Sequence, residues 1–399
     1  MKKENDCYDV ELVKKELRKL KIPKEYFNFD IEAINYHDIC LYLSIRKDSA
    51  KTTQALLLLL VLKKLYSYEC EYLRTDTDQI TSTNIDNIYD VILKFGYVEK
   101  IFGDKWNTII YKQHLKRFYL AKKDDEGNIQ IEDKRPCCLI HSLEQWKRMK
   151  SSYNNVFGNV IIYDEIFDTH RSTSNQMIEL CNQISTITRE RPEARLIMLG
   201  NNLNRYSFWF EEFDLMHDID NLNFGGCIDK KTELGTTIFV KLLDVSQKKK
   251  EDVLKRNVRF FGFNTPKMAA FNGLQAFAGH QWQHLENEDE FLKPEHLQTN
   301  RIYINHRGKW VQISYYYNGK QDYVYLHYAN APRYDDNLIL CDLPRLDSDN
   351  YIYGFGADHR KEKVRKLLGR IRRLRDLNCW FYSSNNVGDL VEDYLISIR

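Results

Sequence analysis

From Leu41 to Leu60 the chain reads LYLSIRKDSAKTTQALLLLL, and this stretch constrains the fold more than any other. An apolar run from Leu41 to Ile45 meets a polar loop, then Lys51-Thr52, then an apolar helix-forming run from Ala55 to Leu62. Strand, loop, Lys-Thr and helix in that order outline a phosphate-binding loop. In such a loop backbone N–H groups wrap a phosphate, the lysine reaches it, and the hydroxyl meets magnesium. The frame GxxxxGK[ST] would place glycine at positions 45 and 50, where this chain has Ile45 and Ala50. Glycine suits such loops because several residues take unusual backbone angles close to the ligand. Alanine at position 50 costs little if its angles stay negative. The plain alternative is a strand, a solvated charged turn and a core helix, since short motifs often match by accident. The candidate phosphate-site residues are Arg46, Lys47, Asp48, Ser49, Ala50, Lys51, Thr52 and Thr53.

Two later pieces weigh against accident. NVIIYDEIFD is an apolar strand, Val160 to Tyr163, that ends in Asp164-Glu165. In nucleotide hydrolases the first acid of such a pair holds magnesium and the second polarises the attacking water. Taken singly, it is also what a buried strand with two exposed acids looks like. TITRERPEARLIMLGNN then carries Arg189, Arg191 and Arg195 before another short apolar strand, which ends at Gly200, Asn201 and Asn202. A polar residue at that tip can sense a terminal phosphate or orient water. An arginine presented to a neighbouring subunit would stabilise transition-state charge, although a solvated basic helix end has the same appearance.

At 399 residues the chain exceeds a usual single core, so two domains are expected. Up to about residue 225, the runs ECEYLRTD, NTIIYKQ, RFYLAKK, CCLIHS, NVIIYDE and RLIMLGN alternate with amphipathic segments, the pattern of an α/β sheet. DDEGN, between two strand-like runs, suggests a protruding hairpin. Residues 226–295 have no clear period and read as a linker region. RIYINH, WVQISYYYNG, DYVYLHYA and NLILCD, followed by the basic helix HRKEKVRKLLGRIRRLRDL, form a smaller α/β or α+β domain over residues 296–399.

Composition narrows the functional classes. No apolar run approaches the ~20 residues that span a bilayer, and the opening residues lack a secretory pattern, so neither a membrane anchor nor export is expected. The nine cysteines are scattered without a CxxC pair, which suits a reducing cytoplasm better than a disulfide scaffold or a zinc site. A formal net charge of +2 gives no global attraction to polyanions, so any nucleic-acid contact must be local.

The order of the loop at Lys51-Thr52, VIIYDE, TRER and LIMLGNN, followed by a small strand-rich domain with a basic C-terminal helix, resembles the DNA-packaging ATPases of small podophages with protein-primed genomes. These are relatives of large terminases within the ASCE class of P-loop ATPases. The resemblance covers most of the chain in layout and rests on four or five short motifs. It implies an ATP- and magnesium-dependent ATPase domain over residues 1–225, followed by an RNase H-like, vestigial nuclease domain. It also implies a homo-oligomeric ring, usually of five, on the portal protein of an empty capsid. That ring threads double-stranded DNA inwards from the host cytoplasm, in some cases with a structural RNA.

Carried over by position, Lys51 and Thr52 bind phosphate and magnesium and Asp164 holds the metal. Glu165 is the catalytic carboxylate, restrained by a polar partner for which Arg46 and Lys47 are candidates. Asn201 takes the coupling position, and Arg189, with Arg191 in reserve, takes the trans-acting finger. WVQISYYYNG lacks Asp and Glu, so no nuclease activity is expected. Candidate DNA contacts are Lys147 and Lys150 before the acid strand and Lys122 and Lys123 on the hairpin. The other readings are a ring ATPase of another kind, such as a helicase, and a degenerate nucleotide-binding scaffold.

Overall fold

The computed structural model describes residues 7–22, 29–44, 50–81, 85–145, 158–167, 173–189, 191–201, 207–220, 222, 225–243, 282–285, 287–333, 337–342, 350–355, 359–377 and 379–398. The chain divides into two compact units, Met1–Leu203 with Ser207–Val245, and Asn204–Tyr206 with Ser246–Arg399.

The first unit is built on a ten-stranded sheet. Six of its strands are mutually parallel: β1 (Ile39–Ser44), β2 (Cys70–Arg74), β6 (Cys138–Ser142), β7 (Val160–Asp164), β8 (Arg195–Asn201) and β10 (Thr237–Leu242). Antiparallel strands β3 (Thr108–Lys112), β4 (Arg117–Lys123), β5 (Ile129–Glu132) and β9 (Cys227–Lys231) extend its edges. The spatial order is β3-β4-β6-β2-β7-β8-β1-β10-β9, with β5 paired to β4. One strand, β8, therefore stands between the loop strand β1 and the acid strand β7.

Parallel strands covered on both faces need apolar side chains on both. Alternate residues of β1 accordingly divide between two cores: Cys40 and Tyr42 enter one, Leu41 and Leu43 the other. The first core is filled by α3 (Lys51–Tyr66), whose buried residues run without a break from Gln54 to Lys63. A helix that is apolar all round belongs inside. α1 (Val10–Lys19) packs outside it, while α2 (Ile31–Tyr36) leads into β1. The opposite core holds Leu180 of α4 (Thr173–Thr188) with Tyr163, Trp209 and Phe210.

The expected hairpin is present. Asp124 accepts from the backbone N–H groups of Glu126 and Asn128, and Gly127 donates to the Asp124 carbonyl, closing the turn between β4 and β5. The first unit extends beyond residue 225, contrary to the expected boundary. β9 and β10 complete its sheet, with Ile39 of β1 opposite Ile238 and Leu43 opposite Leu242, so residues 227–242 belong to the fold and not to a linker. β9 alternates exposed and half-buried positions at the sheet edge, which is why its sequence lacks an apolar signal.

The second unit has a six-stranded sheet in the order β15-β14-β11-β12-β13-β16. β11 (Leu297–His306), β12 (Lys309–Tyr317) and β13 (Asp322–Ala329) form an antiparallel meander. β14 (Leu338–Cys341) and β15 (Tyr351–Tyr353) continue it in parallel beyond β11, and β16 (Trp380–Tyr382) lies parallel to β13. The basic helix α5 (Glu362–Asp376) buries Leu368, Ile371 and Leu374 of its expected stripe. α6 (Asn385–Ser397) is capped by Ser384, whose side chain accepts from the Val387 N–H. Residues 282–285 also belong to this unit. The Trp282 indole donates to Asp389 at 2.7 Å and lies so close to Gly388 that a Cβ there would collide with it, while the Gln283 carbonyl accepts from the Tyr382 N–H.

Candidate phosphate and acid site

Ligands of open parallel sheets bind outside the carboxyl ends of the strands. In the first unit that edge gathers Ser44, Arg74, Asp164 and Asn201, with the amino terminus of α3 beside them. The β1–β8 register sets Ser44 opposite Asn201. The Lys51 ammonium donates to the Ser44 hydroxyl and to Asn201 Oδ1, each at 2.5 Å. The Ser44 hydroxyl donates to the same Asn201 oxygen at 3.2 Å. Lys51 is only 5% exposed. Burial pulls its ammonium down to about 8, against the opposing pull of Asp164 and Glu165.

Ala50, just before Lys51, has φ 55° and ψ 25°, in the left-handed region. The condition under which alanine costs little there is not met. The backbone takes the conformation that glycine would occupy freely, at a cost of about 1 kcal/mol for a residue with a Cβ. Arg46, Lys47, Asp48 and Ser49 lie outside the described residues, and Thr53 sits half-buried in the first turn of α3.

Thr52 and Asp164 meet directly, the hydroxyl donating to Asp164 Oδ2 at 2.7 Å. Their oxygens are hard donors of the kind that hold magnesium, an ion that keeps much of its shell for water and substrate phosphate. Among the described residues no group of three or more His, Cys, Asp or Glu forms a self-contained metal site. A hydroxyl and one carboxylate fit an ion that arrives with nucleotide.

Two further side chains surround Asp164, and the sequence reading missed both. Tyr72, fully buried on β2, donates its hydroxyl to Asp164 Oδ2 at 2.7 Å. Arg74, two residues on and on the same face, donates from Nε to the Tyr72 oxygen at 2.9 Å and from Nη2 to Asp164 Oδ2 at 3.3 Å. Its Nη1 forms an ion pair with Glu165. Burial alone would lower the Arg74 guanidinium, but Tyr72, Asp164 and Glu165 together hold it above its ordinary range. Burial, then the Asp164 charge, pushes the Tyr72 phenol well up. The available signal is a tyrosine and an arginine at alternate positions at the carboxyl end of a short buried strand. Glu165 itself has φ 59°, and its N–H donates back to Asp164 Oδ1 at 2.9 Å.

The arginines of TRER have separate fates. The Arg191 guanidinium donates to the carbonyls of Ile187, Thr188 and Gly158 at 2.5, 2.9 and 3.1 Å. Arg195, 5% exposed, donates to those of Asn35, Pro192 and Ala194. Both fasten parts of their own chain, whereas Arg189 is exposed at the end of α4. All three lie at the amino-terminal edge of the sheet, near Gly158 and the start of β7, about 15 Å along the strand from Asp164. Lys122 and Lys123 end β4, whose register carries the hairpin past the amino-terminal edge of β6. Lys147 and Lys150 lie outside the described residues.

No protein-family model and no curated protein sequence matches the chain. Among solved structures it is similar to the phi28 gp11 DNA packaging motor, at 14% identity over 94% of this chain and 99% of that one, with a TM-score of 0.46. It is also similar to the N-terminal domain of the DNA packaging ATPase from bacteriophage phi29, at 17% identity over 55% and 98% of the two chains, with a TM-score of 0.40. The large terminase of the thermophilic bacteriophage D6E gives 10% identity over 96% and 90%, with a TM-score of 0.34. Identities this low speak to fold alone, and at these TM-scores the functional case rests on the chain's own residues.

Proposed function

We propose that this chain is a genome-packaging ATPase that moves double-stranded DNA through a viral portal. The observation that carries the reading is the convergence of Lys51, Thr52, Asp164, Glu165 and Asn201, from three elements and the residue after one of them, on one edge of a parallel sheet. Lys51 draws in the nucleotide's terminal phosphates, and Asn201, now bonded to Lys51, is displaced as they arrive, so strand β8 registers nucleotide occupancy. Thr52 and Asp164 would hold magnesium, whose charge stabilises the transferring phosphoryl group when bound with ATP. Glu165 orients the attacking water and accepts its proton once its carboxylate leaves Arg74. Arg74 thus fills the place of the polar partner for which Arg46 and Lys47 were candidates.

Around this site the chain forms a homo-oligomeric ring whose subunits probe their neighbours through Arg189, seated as a pentamer on the procapsid portal in the host cytoplasm. Lys122 and Lys123 on the hairpin, with Lys147 and Lys150, track DNA phosphates. The second unit serves docking and DNA or structural-RNA contact without cutting. Its meander extended by parallel strands suits an RNase H-like sheet, yet neither β11 nor β12 contains Asp or Glu. The nearby carboxylates are engaged: His306 bonds Asp342 and Asp393 at 2.6 Å each, and Arg307 also holds Asp393.

The test is ATP hydrolysis by the purified protein with and without double-stranded DNA, beside Lys51→Ala and Glu165→Gln. DNA-stimulated turnover lost in both variants, with plasmid left uncut in magnesium or manganese, is the expected result. The left-handed Ala50 favours the competing scaffold reading, and nucleotide binding without turnover in the wild type would establish it.

A further inference from the structure

The four hydrogen bonds on Asp164 carry a consequence beyond the ATPase reading, on which it rests. Each oxygen of a carboxylate offers about two lone-pair positions. Asp164 has four donors: the Glu165 N–H on Oδ1, and Thr52, Tyr72 and Arg74 on Oδ2. The side chain is 4% exposed, so water does not compete freely for these positions. Before Oδ2 can face a divalent cation, at least one donor must leave.

The geometry selects which. Tyr72 is fully buried in the middle of the sheet and fixed by its backbone register with β6 and β7. Thr52, in the first turn of α3, is itself a ligand of the kind the cation would keep. Arg74 makes the longest of the three bonds, at 3.3 Å, and is the only cation among the donors. Its guanidinium would be repelled by a divalent ion on the same oxygen. Arg74 also bridges to Glu165, so its release from Asp164 is felt at the catalytic carboxylate.

We propose that Arg74, seated by the Tyr72 hydroxyl, is an internal cation that competes with magnesium for Asp164, so that metal-nucleotide loading and the Arg74 bridge exclude one another. The bridge lowers metal-nucleotide affinity in the resting subunit and ties Glu165 to the resting arrangement. Loading would break the Asp164 half of the bridge and leave Arg74 on the Tyr72 hydroxyl and Glu165, so that only the Glu165 bond remains to break before that carboxylate can act. Tyr72 is a positioning residue here, because it acts through Arg74 and Asp164 and touches no substrate.

The experiment measures dissociation constants of the full chain for the non-hydrolysable analogue AMP-PNP, by calorimetry, in excess magnesium and in EDTA. The ratio of the two constants reports the benefit of metal, free of any turnover. Arg74→Ala is expected to enlarge that ratio about tenfold, the weight of one charge-assisted hydrogen bond, while leaving the EDTA constant nearly unchanged. Tyr72→Phe, which keeps the buried ring, is expected to enlarge it by a smaller factor, and Arg74→Lys to fall between wild type and Arg74→Ala. An unchanged ratio in Tyr72→Phe and Arg74→Lys, or equal weakening of binding in both conditions, overturns the proposal and makes Arg74 a phosphate ligand or a structural residue. Loss of all AMP-PNP binding in wild type and variants alike overturns the nucleotide-site reading and this inference with it.

Discussion

Ala50 and Lys51 are adjacent and strained in different currencies, one conformational and one electrostatic. Ala50 holds φ 55°, so Ala50→Gly removes a Cβ penalty of about 1 kcal/mol, offset in part by the greater freedom of glycine in the unfolded chain. A net gain of roughly 0.5 kcal/mol is expected, read as a higher urea midpoint with an unchanged slope. Lys51 is lowered to about 8 from an unfolded value near 10.5. Between those values the unfolded chain holds the proton and the folded one does not. This residue's contribution to stability therefore rises with pH across that window, because the charge that burial disfavours is gone. Binding runs the other way, since the phosphate needs the ammonium. Affinity for AMP-PNP is expected to fall as pH rises through 8, with proton uptake on binding visible as a buffer-dependent calorimetric heat. Flat affinity from pH 7 to 9.5 would show that Lys51 does not meet the phosphate.

Elements show what could be read in advance and what could not. Strands β1, β7 and β8 were legible because parallel strands buried on both faces are largely apolar, and α3 because no face of it is polar. β9 was not, because it is an exposed edge strand whose sequence CIDKK is mostly polar, and the three-residue strands β15 and β16 are too short to show a period. The site divides in the same way. Lys51, Thr52, Asp164 and Asn201 announce themselves by spacing along the chain, whereas Arg74 reaches Glu165 only through the pairing of β2 with β7, a relation that spacing does not contain. The same pairing of elements gives Gly200 its role. A Cβ on Gly200 would run into the Phe167 ring, two residues beyond Glu165, and press on Leu43 of β1 at 3.2 Å. Phe167 in turn packs edge-on against Phe210, with ring centres 5.7 Å apart, so it has little room to yield. Gly200→Ala is expected to destabilise the first unit by ~1–3 kcal/mol, measured by urea denaturation, and to lower turnover by shifting the segment that carries Glu165.

At the scale of the whole molecule the question is which groups of the proposed ATPase site one chain supplies to itself. Lys51, Thr52, Asp164 and Glu165 are assembled within a single first unit at the carboxyl edge of its sheet. Arg189 lies at the opposite edge, about a strand's length away, while its neighbours Arg191 and Arg195 donate to carbonyls of their own chain. An exposed arginine at that edge does not reach its own phosphates, so any part it plays in hydrolysis is played on an adjacent copy. Mixing variants tests this without knowledge of the ring's size. Arg189→Ala and Lys51→Ala are each expected to be inactive alone, the first for want of the neighbour's charge and the second for want of bound phosphate. In a mixture, a Lys51→Ala subunit presents an intact Arg189 to a neighbour whose Lys51 is intact. DNA-stimulated hydrolysis is therefore expected to return to a fraction of wild type, and to peak at intermediate mixing ratios. A mixture no more active than its two components would place Arg189 on the solvated end of α4 with no catalytic part, and the charge that completes the site would have to come from the same chain, with Arg74 already within reach of Glu165.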